Sequence, residues 1–114
     1  MRTWMSVLVV SFACATACAG EAPAVPVGAD GAIDVELTLG REVYQRRCAN
    51  CHGTAGGGGT GPELAGGAVA AAYPDPADQV ALIADGRNGM PAFAGSLTTA
   101  EIEAVVRYTR EVLG

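Results

Sequence analysis

Apolar and polar positions change rhythm several times along this chain. From Trp4 to Ala17 the residues are apolar, broken only by Ser6, Ser11 and Thr16. Residues 19–34 are rich in Ala, Pro, Gly and Val and keep neither a helical nor a strand period. Helical spacing begins after Thr38, a residue type whose hydroxyl suits the open N–H groups of a first turn. Gly40, Val43 and Tyr44 then share a face, which predicts a helix from about Leu39 to Ala49. A second helix is predicted from Pro76 to Asp85, with Val80, Leu82 and Ile83 apolar. Asp75 stands at its cap and Pro76 at its first position, where a missing N–H costs nothing. The last helix opens on Thr98-Thr99-Ala100-Glu101, a capping box in which the two side chains satisfy each other's backbone donors. Ile102, Val105, Val106, Thr109, Val112 and Leu113 give it a buried stripe reaching to about Leu113. No internal repeat and no strand pattern emerges.

The chain has 114 residues, the size of one small domain with additions. Met1-Arg2, the apolar run and the small residues after it have the form of a secretory signal peptide over residues 1–18. The run falls short of the roughly 20 apolar residues of a membrane span; a buried core helix or a retained anchor is the alternative. Ala15-Thr16-Ala17-Cys18 resembles a lipoprotein box, with Ala15 where leucine is usual. That leaves two readings: a membrane tether through a lipidated Cys18, or ordinary cleavage after Ala17 or Ala19. Residues 19–35 read as a flexible linker, and a docked N-terminal arm is the alternative. Fully extended, such a linker reaches roughly 50 Å at about 3.3 Å per residue. The domain itself occupies residues 36–114.

Charge narrows the partners. The formal net charge is −5, and all seven basic residues are arginines. An acidic surface argues against a nucleic-acid partner. It fits docking to basic or mixed patches, where charge acts on encounter rate more than on affinity; plain solubility is the other reading.

The chemistry is concentrated in Cys48-Ala49-Asn50-Cys51-His52. Two thiols separated by two residues, with a histidine directly after, form the attachment pattern for c-type haem. One helical turn presents both sulfurs to the vinyl groups at a porphyrin edge. His52 is the only histidine in the chain, so the axial imidazole has one source. A thioredoxin-like pair would need a βαβ setting. A zinc site would need a second pair of ligands. Neither is present in the sequence, and a free structural dithiol is the remaining alternative. Residues 53–62 are mostly glycine. No Lys-Ser/Thr follows them, so they are not a phosphate loop; glycines also let backbone approach a flat ligand closely. Met90 lies 38 positions after His52 and is the only methionine beyond residue 18. Its thioether is a soft, neutral candidate for the second axial position. A gap-filling core methionine is the alternative.

With these residues in place, the sequence resembles a small bacterial class I cytochrome c. The likeness rests on Cys48 to His52, Gly61-Pro62-Glu63-Leu64, Gly89-Met90-Pro91-Ala92-Phe93 and Leu97-Thr98-Thr99-Ala100-Glu101-Ile102, in the family's order over about residues 36–114. It implies an all-α fold, three main helices wrapped around one covalent haem c ligated by His52 and Met90. It implies a hydrogen bond from His52 to the Pro62 carbonyl, and close packing of Gly40 and Tyr44 against Val105 and Tyr108. Together with the signal peptide, this reads as a monomeric, non-enzymatic electron carrier among redox proteins, periplasmic or otherwise extracytoplasmic and, on the Cys18 reading, lipid-anchored. Two other functions stay open: a relay subunit of a larger oxidoreductase, and a ligand-binding haem sensor or enzyme if Met90 is displaceable. One departure stands out. The sole tryptophan, Trp4, precedes the domain, so Arg87 and Tyr73 become the candidates for haem propionate contacts, with an ordinary surface residue as the alternative for each. Residues 66–72, almost all Gly and Ala, receive no assignment.

Overall fold

The structure, a computed structural model, describes residues 20–114. Residues 1–18, expected to be a signal peptide, and with them Cys18, lie outside the described residues. Five helices follow in order: α1 (Val35–Arg47), α2 (Ala49–His52), α3 (Ala68–Ala72), α4 (Pro76–Asp85) and α5 (Thr99–Glu111). The three long ones are those expected, and no sheet forms among the described residues. No helix among them is long and apolar enough to cross a membrane.

The caps of α4 and α5 are as expected. Asp75 accepts from Ala77 N at 2.9 Å, and Thr98 and Glu101 close a reciprocal capping box. The start of α1 is a correction. Asp34, not Thr38, caps it, accepting from Leu37 N at 2.9 Å. The Thr38 hydroxyl instead bonds back to Asp34 O at 2.8 Å inside the helix. The extra turn has no apolar stripe, since Val35 is 79% exposed. Its stability comes from the cap and from Arg107 of α5, which meets Asp34 at 3.0 Å, Glu36 at 2.6 Å and Glu111 at 2.8 Å. The unassigned Gly/Ala stretch holds α3. Gly66 and Gly67 enter it at φ +64° and +82°, a region glycine reaches without steric cost.

The core sits where α1 crosses α5. Val43, Tyr44, Val105 and Tyr108 are its largest fully buried side chains. Gly40 allows the crossing: a Cβ there would stand 2.7 Å from the Ala104 carbonyl carbon and 2.8 Å from Tyr108 Cβ. The Tyr44 and Tyr108 rings lie 5.5 Å apart at 45°, a tilted arrangement that aromatic quadrupoles favour. Neither is simple filler. The Tyr44 hydroxyl donates to Gly53 O and the Tyr108 hydroxyl to Pro23 O, both at 2.6 Å. Burial pushes the Tyr44 phenol up to about 12, so it stays an unionised donor.

The stretch before α1 begins as a docked arm. Ala22 is 2% exposed, and Val25 packs on the core. Arg41 donates to Ala22 O from Nη2 at 2.7 Å and from Nε at 2.9 Å, and to Pro23 O at 3.1 Å. On the other side of α5, Arg110 bonds Tyr73 O at 2.8 Å and Pro74 O at 3.2 Å, fixing the turn between α3 and α4. Buried Gln79 joins α4 to α5 through Thr109 Oγ1 at 2.9 Å.

Gly40→Ala is expected to cost at least the roughly 1–3 kcal/mol of an overpacked core, read by denaturant unfolding. A second expectation concerns acid. Arg107 holds the Asp34 carboxyl below its ordinary 3.8, and the Thr98 N–H does the same for Glu101 against its ordinary 4.5. A depressed folded pKa stabilises above the unfolded value and is lost as pH falls through the folded one. Stability should therefore fall below about pH 4, and Asp34→Asn should flatten that slope in acid titrations of unfolding.

Candidate haem site

The site begins where α1 runs out. Cys51 N and His52 N both bond Cys48 O, at 3.2 and 3.0 Å, and Gly53 N bonds Ala49 O at 2.9 Å. The motif therefore lies on one turn, α2. Gly53, at φ +83°, ends it. Cys48 is half-buried against the core, while Cys51 is exposed. Both thiols are free. Burial, and secondarily the neighbouring Cys51, pushes the Cys48 thiol up to about 11.

The glycine-rich loop folds back over this turn by backbone bonds. Gly58 N reaches His52 O at 2.7 Å, Gly61 N reaches Cys51 O at 2.8 Å, and Leu64 N reaches Gly56 O at 2.7 Å. The last bonds bring Pro62 to the imidazole: Nδ1 of His52 lies 2.8 Å from Pro62 O. A carbonyl only accepts, so Nδ1 carries the proton and Nε2 keeps its lone pair for a metal. Gly61 is needed for this approach. A Cβ at Gly61 would stand 2.8 Å from Cε1 and 3.0 Å from Nδ1 of the ring.

Met90 sits on a separate turn beyond α4. Arg87 and Met90 exchange backbone bonds of 3.1 and 3.0 Å, with Asn88 left-handed at φ +53° between them. Phe93 N to Ile83 O and Ala94 N to Ala84 O tie the following segment to the end of α4. Gly86 permits the fold-back, since a Cβ there would meet Met90 O and Ala92 N at 2.7 Å. Met90 is half-buried on the same core cluster as Cys48, as are Leu64, Val80, Ala84 and Phe93. Of the expected residues, Cys48, Cys51, His52 and Pro62 are thus brought together directly, whereas Met90 stands on its own turn and packs on the common core. Arg87 is exposed, and Tyr73 is half-buried with its carbonyl held by Arg110. Two contributors escaped the sequence reading. Gly61 faces the imidazole, and the only signal was its place before Pro62. The Tyr44 hydroxyl reaches the site, where the sequence showed a packing residue alone.

These residues fit a covalent haem: two free thiols on one turn, an imidazole with its distal nitrogen available, and partly exposed apolar side chains from three segments. An all-helical domain with this turn and this crossing of first and last helices defines a class I c-type cytochrome, an electron-transfer protein. The chain belongs to the family described as cytochrome c oxidase, cbb3-type, subunit III, whose model matches residues 35–108. No curated protein matches it. Among solved structures, cytochrome c6C from Synechococcus sp. PCC 7002 is 28% identical over 66% of this chain and 94% of its own, with a TM-score of 0.57. Cytochrome c6 from the diatom Phaeodactylum tricornutum is 28% identical over 64% and 88%, with a TM-score of 0.56. Dihydro-heme d1 dehydrogenase NirN is 33% identical over 64% of this chain, with a TM-score of 0.59, but this chain spans only 16% of its length. One haem c, attached through Cys48 and Cys51, is the cofactor.

Gly61→Ala is expected to push the imidazole off Pro62. The Nδ1–H proton resonance of His52 in the reduced, diamagnetic protein should then move upfield as its hydrogen bond lengthens.

Proposed function

We propose that this chain carries single electrons between redox proteins of the bacterial cell envelope, with His52 and Met90 as the axial iron ligands. The observation that carries this reading is the 2.8 Å approach of His52 Nδ1 to Pro62 O. It commits one ring nitrogen to the protein and leaves the other free, on the turn that bears both thiols. When bound, haem c supplies an iron that alternates between ferrous and ferric states.

The chain's residues set the conditions for that exchange. The Pro62 carbonyl makes the imidazole a stronger donor and fixes its plane. Met90 offers a neutral thioether, which favours the reduced state relative to more donating ligands. With His52 and Met90 both holding the iron, no position would remain there for an added ligand. The acidic balance of the chain, −5 over all 114 residues with no lysine, steers the carrier towards basic patches on its partners. Such contacts are small and short-lived, as redox encounters generally are. The carrier is monomeric, is not an enzyme by itself and does not bind nucleic acid. Residues 1–18 direct it out of the cytoplasm as a signal peptide, with Cys18 either lipidated to the membrane or passed over by ordinary cleavage.

A second reading, a relay subunit of a larger oxidoreductase, is favoured by the family's description and by the similar segment inside the longer NirN chain. Recovery of the native protein as a stable complex would select it. Recovery as a free monomer would select the shuttle, and the intact mass of that material reports haem count, cleavage and lipid together.

Met90→Ala is expected to give high-spin iron, a lower midpoint potential and new binding of cyanide or carbon monoxide. Loss of the methionine-to-iron absorption band checks it; an unchanged spectrum removes Met90 from the ligand set.

A further inference from the structure

Gly53 marks the end of the His52 turn, and its carbonyl has two donors. Gly56 N–H reaches it at 3.1 Å from within the loop, and the Tyr44 hydroxyl reaches it at 2.6 Å from α1. Tyr44 is fully buried at the helix crossing, with its ring against Tyr108. It cannot swing aside without opening that crossing. Gly53 directly follows His52, whose own carbonyl is held by Gly58 N at 2.7 Å. The hydroxyl therefore restrains the backbone that carries the imidazole. Packing does not demand it, because phenylalanine fills nearly the same volume. Tyr108 makes the contrast plain: its hydroxyl goes to Pro23 of the arm instead.

The geometry points to Tyr44 as a positioning residue for the haem ligand: its hydroxyl, acting through Gly53, holds His52 in register with Pro62 and so tunes the potential of the iron. This rests on His52 being the axial ligand, as proposed above. A ring held less firmly makes a weaker Nδ1–H bond to Pro62. The imidazole then donates less electron density, and the oxidised state loses more than the reduced one.

The test compares Tyr44→Phe with Tyr108→Phe in the mature, haem-loaded protein. Each removes one hydroxyl from the same buried aromatic pair, so both are expected to lower the Tm by similar amounts. Only Tyr44→Phe is expected to shift the midpoint potential upward and to change the low-spin electron paramagnetic resonance signature of the axial ligands. A potential and signature in Tyr44→Phe that match those of Tyr108→Phe and the unmodified protein would overturn the proposal and leave Tyr44 as packing. A measurement on the unmodified protein covers the case in which Tyr44→Phe takes up no haem. In the reduced state, the Tyr44 hydroxyl proton should appear as a slowly exchanging resonance coupled to the Gly53 carbonyl carbon, and its absence also overturns the proposal. An unmodified protein without a histidine-ligated low-spin spectrum would instead sink the ligand assignment, and the Tyr44 role with it.

Discussion

Helices α1 and α5 cross where they do because position 40 has no side chain. The backbone of Ala104 and the Cβ of Tyr108 occupy the space a methyl group would need. Everything else in the domain is referred to that contact. It buries Val43 and Val105 completely and brings two tyrosine rings together. From that pair one hydroxyl extends to the haem turn and the other to the N-terminal arm. A domain this small has a limited apolar core of its own. A close crossing, with a covalent prosthetic group beside it, is how such a chain closes a core at all.

The haem turn shows a division of labour between side chains and backbone. Few side chains act there. The loop after it is held mainly by amide bonds, from Gly58, Gly61, Leu64 and Ala65 back to His52, Cys51 and Gly56. Such a loop is rich in glycine for a local reason. At Gly61 a side chain would strike the imidazole, and at Gly53 the backbone is left-handed. The reward for that conformational cost is a ring oriented by a carbonyl. In metal sites, partners of that kind set ligand basicity.

What was legible in the sequence was short-range. Asp75 and Thr98 bond donors two and three residues away, so their caps can be read from spacing alone. Cys48, Cys51 and His52 occupy a single turn, so their chemistry was legible for the same reason. The bond from His52 to Pro62 was not derivable from spacing and came with the family resemblance. Thr38 misled because a threonine inside a helix can satisfy its hydroxyl on the carbonyl four residues back, leaving the cap to Asp34. The α3 turn was hidden by composition. Gly and Ala carry no pattern, and its entry depends on Gly66 N reaching Leu113 O across the molecule. The arm was hidden by its donors: Arg41 binds backbone carbonyls 18 and 19 residues earlier, which no side-chain pattern could announce.

That arm changes the mechanical relation between the haem domain and whatever holds its N-terminus. An undocked stretch would be a long, slack leash. With Ala22 seated against the core, reach accrues only upstream of it. A chain fastened at position 18 would then keep the domain within about 13 Å of its mooring, at about 3.3 Å per residue. A carrier so closely moored would sweep a shell only a few water layers deep, so its partners would have to come to it rather than be fetched from solution.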